Sequence, residues 1–198
     1  LQDLDLIDEV CQRLTDITDS YYNTRWCYLC VLLHDPKTKM QKDALIDYVA
    51  DKESYTRNAA WQMLKRLPLT QEDVQRLEKH LRLKNEETRR HVLSLLEEQK
   101  EPELLLSIRR LLASDKEQIR LAGLDMLKRR SEASDGAKKD AAALLADVIP
   151  DSESLTDKEK VLYSEMAGST GAADILNTKG YGLYDPASEH DACGVGMV

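Results

Sequence analysis

The chain has 198 residues, 42% of them hydrophobic and 32% charged, with a formal net charge of −8 and no Phe. This length admits one domain or a repeat array with a sizeable core, and the composition is that of a surface-rich helical protein. No apolar run approaches the ~18 to 20 residues needed to span a bilayer, and no signal-peptide pattern opens the chain, so no membrane partner is expected.

Four Arg residues keep a common register along the chain. "TRWCYLCVL" from Thr24, "TRNAAWQML" from Thr56, "TRRHVLSLL" from Thr88 and "IRLAGLDML" from Ile119 place Arg25, Arg57, Arg89 and Arg120 at spacings of 32, 32 and 31 residues. Leu32, Leu64, Leu96 and Leu127 follow each Arg by seven residues, and Ile17, Val49, Leu81 and Leu112 precede each by eight. A period of this length identifies a repeat built from one supersecondary unit.

Each unit divides into two helices. "LDLIDEVCQRL", "KDALIDYVA", "EDVQRLEKHLRL" and "ELLLSIRRLLA" carry apolar residues at three- and four-residue steps and supply the first helices. The second helices begin near the Arg. Pro36 and Pro102 are expected at first helical positions, and Thr70 with Asp73 forms a capping box. Asp19, Asp51, Asn85 and Asp115 fall in the turn within each pair, where a side-chain acceptor can cap the next helix. An insertion, "RSEASDGAKKD", interrupts the fourth unit before "AAALLADVI". "LTDKEKVLYSEMAG" then adds one more helix, with Thr156 and Glu159 as a second box.

The acidic turn followed by an Arg and by A-x-x-x-L-type spacing resembles HEAT-like repeats over residues 1–167. The resemblance implies an all-α, right-handed α-solenoid of about four and a half helix pairs with a continuous core and a concave surface. It also implies a structural ladder in which Asp19, Asp51 and Asp115 pair with Arg25, Arg57 and Arg120. Asn85 cannot supply a charge, so Glu86 or Glu87 is expected to serve the rung of Arg89.

The repeats hold few candidates for chemistry. Cys27, Cys30 and His34 lack the further ligands of a zinc site, and Cys27 and Cys30 share one helical face, so they read as core. No metal and no cofactor is expected. Cys11, Cys27 and Cys30 all lie in apolar helical patterns, which favours a reducing, cytoplasmic compartment. His80 and His91 receive no role, and Trp26 and Trp61 are read as core wedges in successive repeats. Charge is uneven: residues 56–130 carry a net +5, whereas residues 1–55 carry −5 and residues 131–198 carry −8. Lys65, Arg66, Arg109, Arg110, Lys128 and Arg129 are the candidate binding residues of a nucleic-acid backbone. The competing reading is that these pairs complement helix C-termini and keep the surface soluble.

After Ala167 helical periodicity fades and six of the eight glycines occur, so residues 168–198 read as an extended tail or domain junction. Within it, "GLYDPASEHDACGVG" at 182–196 resembles the amino-terminal segment of the glutamate synthase large subunit, which opens a class II glutamine amidotransferase domain. That resemblance implies Cys193 as nucleophile, with Gly194 and Gly196 at turn positions and Glu189, His190 and Asp191 in the leader. Such a nucleophile uses its own free α-amino group as base. Here 192 residues precede Cys193 and only "GVGMV" follows, so this chain alone is not expected to be an enzyme, and a longer protein could continue the domain. Leu1 in place of an initiator Met reads as trimming or processing.

The expected function is a non-catalytic scaffold presenting a concave helical surface to a protein partner. Two alternatives stand beside it: a fragment of a glutamine-hydrolysing enzyme that begins at Cys193, and nucleic-acid binding through the basic central repeats.

Overall fold

Short polar residues set the starts of most helices, and apolar stripes decide which faces are covered. The computed structural model describes residues 8, 9, 29, 36–148 and 155–170, and every regular element among them is an α-helix. In chain order these are α1 Lys39–Tyr48, α2 Ser54–Leu64, α3 Gln71–His80, α4 Glu86–Leu96, α5 Glu101–Leu112, α6 Glu117–Ser131, α7 Asp135–Val148 and α8 Asp157–Thr170. None is long and apolar enough to cross a membrane.

Thr38 caps α1 by accepting the Gln41 N–H at 3.2 Å, and Asn85 caps α4 by accepting the Thr88 N–H at 2.9 Å. Both expected capping boxes are present. Thr70 and Asp73 cap α3 reciprocally, at 3.3 Å and 2.7 Å. Thr156 and Glu159 do so for α8, at 3.4 Å and 2.9 Å. Such caps satisfy amide groups that the first helical turn leaves without partners. Basic residues close α3, α5 and α6, where they complement the negative end of the helix dipole.

Two local expectations require correction. Pro102 lies in the first turn of α5, directly after Glu101, whereas Pro36 precedes the Thr38 cap of α1 and does not open that helix. The segment "RSEASDGAKKD" is mostly helical: α6 continues through Ser131 and α7 begins at Asp135, leaving three residues between them. Ser134 makes this possible by accepting the Ala137 N–H at 3.1 Å.

The chain forms two compact units, Leu1–Met126 and Leu127–Val198. In the first, α1 packs on α2 and α3 on α4 within pairs. Between pairs, α1 packs on α3, α3 on α5, and α2 on α4. The register landmarks Val49, Leu64, Leu81, Leu96 and Leu112 are all at most 2% exposed, each burial contributing on the order of 1.5–3 kcal/mol. Leu127 is likewise buried, while Ile17 and Leu32 lie outside the described residues. α6 approaches α5 closely at Gly123, where an added Cβ would sit 3.0 Å from Leu111 Cβ and 3.1 Å from the Leu112 amide nitrogen. In the second unit α7 packs on α8 through Ala137, Ala141 and Leu145, opposite the buried Tyr163, Met166 and Ala167 of α8. The expected boundary at 167/168 falls inside the last turns of α8, and residues 171–198 lie outside the described residues.

Candidate functional site: the seams between helix pairs

The polar chemistry of the first unit is concentrated where one helix pair meets the next. Along the odd-numbered helices, Lys42 Nζ donates to Asp73 Oδ2 at 2.6 Å and to the Pro68 carbonyl at 2.5 Å, tying α1 to the entry of α3. Arg76 binds Asp47 with two nitrogens, Nε to Oδ1 at 3.0 Å and Nη2 to Oδ2 at 2.5 Å. Arg110 grips Glu78 in the same forked manner, at 3.1 and 2.7 Å, and also donates to Ser107 Oγ. Paired donation of this kind fixes orientation as well as charge. Burial works to raise the Asp47 and Asp73 carboxyls, but hydrogen bonds from His80 and Arg76 on Asp47, and from Lys42 and Thr70 on Asp73, outweigh it and hold both below the usual carboxylate range.

A second seam joins α2 to α4. Arg57 and Trp61 fall on one face of α2, and Lys65, its C-cap, continues the same four-residue step. Arg57 forms a salt bridge with Glu87, which also accepts the Ser54 hydroxyl at 2.8 Å. Trp61 stacks on His91 with ring centroids 4.6 Å apart and planes 7° from parallel, and its Nε1 donates to Ser94 Oγ at 2.7 Å. Lys65 lies 5.1 Å from the Trp61 ring centroid and 3.4 Å from Glu98. His91 is 3% exposed, and among the described residues its Nδ1 has no hydrogen-bond partner. Burial pushes this imidazole below its usual value; Glu87 opposes the shift, and Arg90 and Arg57 reinforce it.

The repeated Arg ladder takes a different form from the one expected. Arg57 and Arg120 each turn back to a backbone carbonyl six residues earlier, Asp51 O at 2.8 Å and Ser114 O at 3.0 Å. Each thereby satisfies an acceptor in the turn after the first helix of its pair, an orphan group that would otherwise need water. The Asp51 side chain accepts the Glu53 N–H at 2.8 Å, and exposed Asp115 lies 3.0 Å from Lys116, which with the Arg120 charge draws its carboxyl below the ordinary range, while Arg57 takes a carboxylate from the next pair. Glu87 serves Arg57 rather than Arg89. Arg89 reaches forward to Asp125 at 3.0 Å and to the Leu121 carbonyl at 3.2 Å. Arg25 and Asp19 lie outside the described residues, as do Cys11, Cys27, Cys30, His34 and Cys193.

The basic pairs divide between side chains that face a carboxylate and side chains that are simply exposed. Lys65 and Arg110 are engaged as described, and Lys128 lies 3.8 Å from Glu165 in the second unit. Arg66, Arg109 and Arg129 are exposed near helix ends. Trp61 is a seam residue. It stands four residues after its Arg and Trp26 only one, so the two are not equivalent repeat positions. Sequence reasoning passed over Lys42–Asp73, Asp47–Arg76, Glu78–Arg110 and Trp61–His91. The available signal was opposite charges separated by 29–32 residues, close to the repeat period. A hollow of about 390 Å³ lies at the entries of α1 and α3, lined by Thr38, Lys39, Lys42, Pro68, Thr70 and Glu72 among others. Among the described residues no group of three or more His, Cys, Asp or Glu side chains is placed to hold a metal ion.

Fold and seams together define an all-α protein of paired helices, joined pair to pair by charged and stacked side chains. More particularly, the chain belongs to the family of unknown function DUF5724, whose model matches residues 1–193. That match covers the glycine-rich segment as far as Cys193. No curated protein and no solved structure matches the chain.

Proposed function

We propose that this chain is a non-catalytic interaction arm, a HEAT-like α-solenoid that offers the exposed face of its even-numbered helices to a protein partner. The observation that carries the reading is the packing order of the first unit, α1 on α3 on α5 beside α2 on α4, at a sequence period of about one helix pair. Engagement of the buried charges between pairs supports it, since those groups then act in stacking rather than at a reaction centre. The step from fold to function is an analogy with other helical-repeat proteins.

The string at 182–196 is read as a peptide shared with the glutamate synthase leader rather than a shared reaction. The family match supports this, since it runs through residues 1–193 as one stretch. Incubation of the chain with glutamine should release no ammonia above a Cys193→Ser control; release that depends on Cys193 would instead favour the amidotransferase reading. Nucleic-acid binding gains no support from Lys65, Arg110 and Lys128, which already face carboxylates.

The decisive experiment is site-specific photo-crosslinking in cells, with probes at Asn58, Gln62 and Arg90 on the even helices and at Gln75 and Lys79 on α3. All five positions are exposed. Crosslinks to one discrete protein from the even-helix probes alone support the arm. Equal labelling from both faces, or transfer to nucleic acid, overturns it.

A further inference from the structure

We propose that His91 makes the seam between α2 and α4 a proton-sensitive joint, closed when the imidazole is neutral and weakened when the surroundings become mildly acidic. The geometry comes first. His91 is buried between two consecutive helix pairs, its flat face on Trp61, and Trp61 is itself fixed by its bond to Ser94. A neutral ring can leave Nδ1 as a bare acceptor at modest cost. A protonated ring must carry an N–H at that atom, and among the described residues nothing is hydrogen-bonded to it. A buried donor of a charged group left without a partner is among the more costly polar defects.

The charges acting on His91 oppose one another, with Glu87 the strongest of them, so burial decides the direction. Arg57 faces it from α2, and Arg90 lies beside it on α4, both opposing a second cation. Glu87, one turn earlier on α4, favours protonation, but its carboxylate is engaged by Arg57 and Ser54. Lys65, the C-cap of α2, lies against Trp61 and pairs with Glu98. The other helices in contact with α4 have their acids engaged elsewhere: Asp73 and Glu78 of α3 by Lys42 and Arg110, and Asp125 of α6 by Arg89. The Trp61 face attracts an imidazolium, yet a contact of this type contributes only about 0.5–2 kcal/mol. Burial is the largest influence on the ring and favours the neutral form.

The sign follows from linkage. The unfolded chain binds a proton at this histidine near pH 6.5, whereas the folded chain binds it only at lower pH. Above both values the joint keeps its full strength. As pH falls through about 6.5, only the unfolded or opened state gains the proton, so the equilibrium shifts toward opening by up to tenfold per pH unit. The shift ends once the folded ring is protonated too.

The test is an NMR titration of the imidazole carbon-bound protons of the full chain, which has four histidines, with the Trp61 ring contact identifying His91. The expected result is a His91 signal that stays in its neutral position through pH 6.5 and moves only below it. Alongside, the unfolding equilibrium of wild type and His91→Gln is compared at pH 7.5 and 5.5. Wild type should lose severalfold more stability than the variant over that range. If His91→Gln fails to fold, His91→Phe keeps the stack and removes the proton site, and serves the same comparison. A His91 that titrates at or above pH 6.5, or a non-titrating variant with the same pH response as wild type, overturns the proposal.

Discussion

The two units of this chain hold their helices together by different means. In the first, ion pairs join residues about 30 apart in sequence: Lys42–Asp73 at 2.6 Å, Arg76–Asp47 at 2.5 Å, Arg110–Glu78 at 2.7 Å, and Arg57–Glu87. In the second, the pairs among the described residues include longer or local ones: Lys128–Glu165 at 3.8 Å, Arg130–Asp140 at 3.9 Å, and Lys138–Asp135 at 3.4 Å. There the buried residues of α7 are Ala137, Ala141 and Leu145, and it packs on α8. The contrast shows what helix stacking allows. Where one helix pair packs on the next, well-oriented, partly buried ion pairs can form between them. Exposed charges, by contrast, contribute little.

The comparison can be broken most forcefully at the apolar register. Leu96→Ala removes a fully buried landmark of α4 and should cost about 2–5 kcal/mol in urea unfolding. Next comes Arg57→Met, which keeps the apolar stem but strands Glu87 and the Asp51 carbonyl. A loss of about 2–4 kcal/mol is expected, with Arg57→Lys recovering only part of it because one ammonium cannot reach both acceptors. Gly123→Ala gains helix propensity but sets a Cβ against Leu111 and the backbone of Leu112; the net loss should be about 1–2 kcal/mol by thermal melting. Lys138→Ala, by contrast, should fall within about 0.5 kcal/mol of wild type, since Asp135 is almost fully exposed.

Acid sharpens the same distinction. The carboxyls of Asp47, Asp73 and Glu87 are held below their ordinary values in the fold, where hydrogen bonds from His80 and Arg76, from Lys42 and Thr70, and from Arg57 and Ser54 outweigh burial. Their stabilisation is complete above the unfolded carboxylate values near pH 4 and declines as pH falls through the lower folded values. A pH series of denaturant midpoints should therefore drop below about pH 4, and Asp73→Asn should flatten that drop. An unchanged slope would remove Asp73 from the account.

The helices of the repeat were legible because their apolar residues recur at helical spacing and their landmarks recur at the repeat period. Val49, Leu64, Leu81, Leu96 and Leu112 were identified as landmarks by register alone and are buried. The capping boxes at Thr70 and Thr156 were readable for a similar reason, since capping is decided within four residues. Failures arose where a side chain chooses among partners in space. Turn acids and repeated Args suggested pairs within a unit, yet Arg57 takes its carboxylate from Glu87 of the following pair. "RSEASDGAKKD" reads as an insertion before the next helix, but a serine cap at Ser134 lets α7 start within it.

By itself the sequence determined the helical class, the period near 32 residues and the core register, because hydrophobic spacing and local capping depend on the order of residues alone. Only the tertiary structure decided which charges meet. Glu87 was one of two acids proposed for Arg89, and it serves Arg57 because helix stacking brings α4 against α2. Trp61 and His91 are 30 residues apart, with nothing in either neighbourhood to mark a stack. Their contact, and the unpartnered nitrogen it leaves buried, exist only once α2 and α4 pack together.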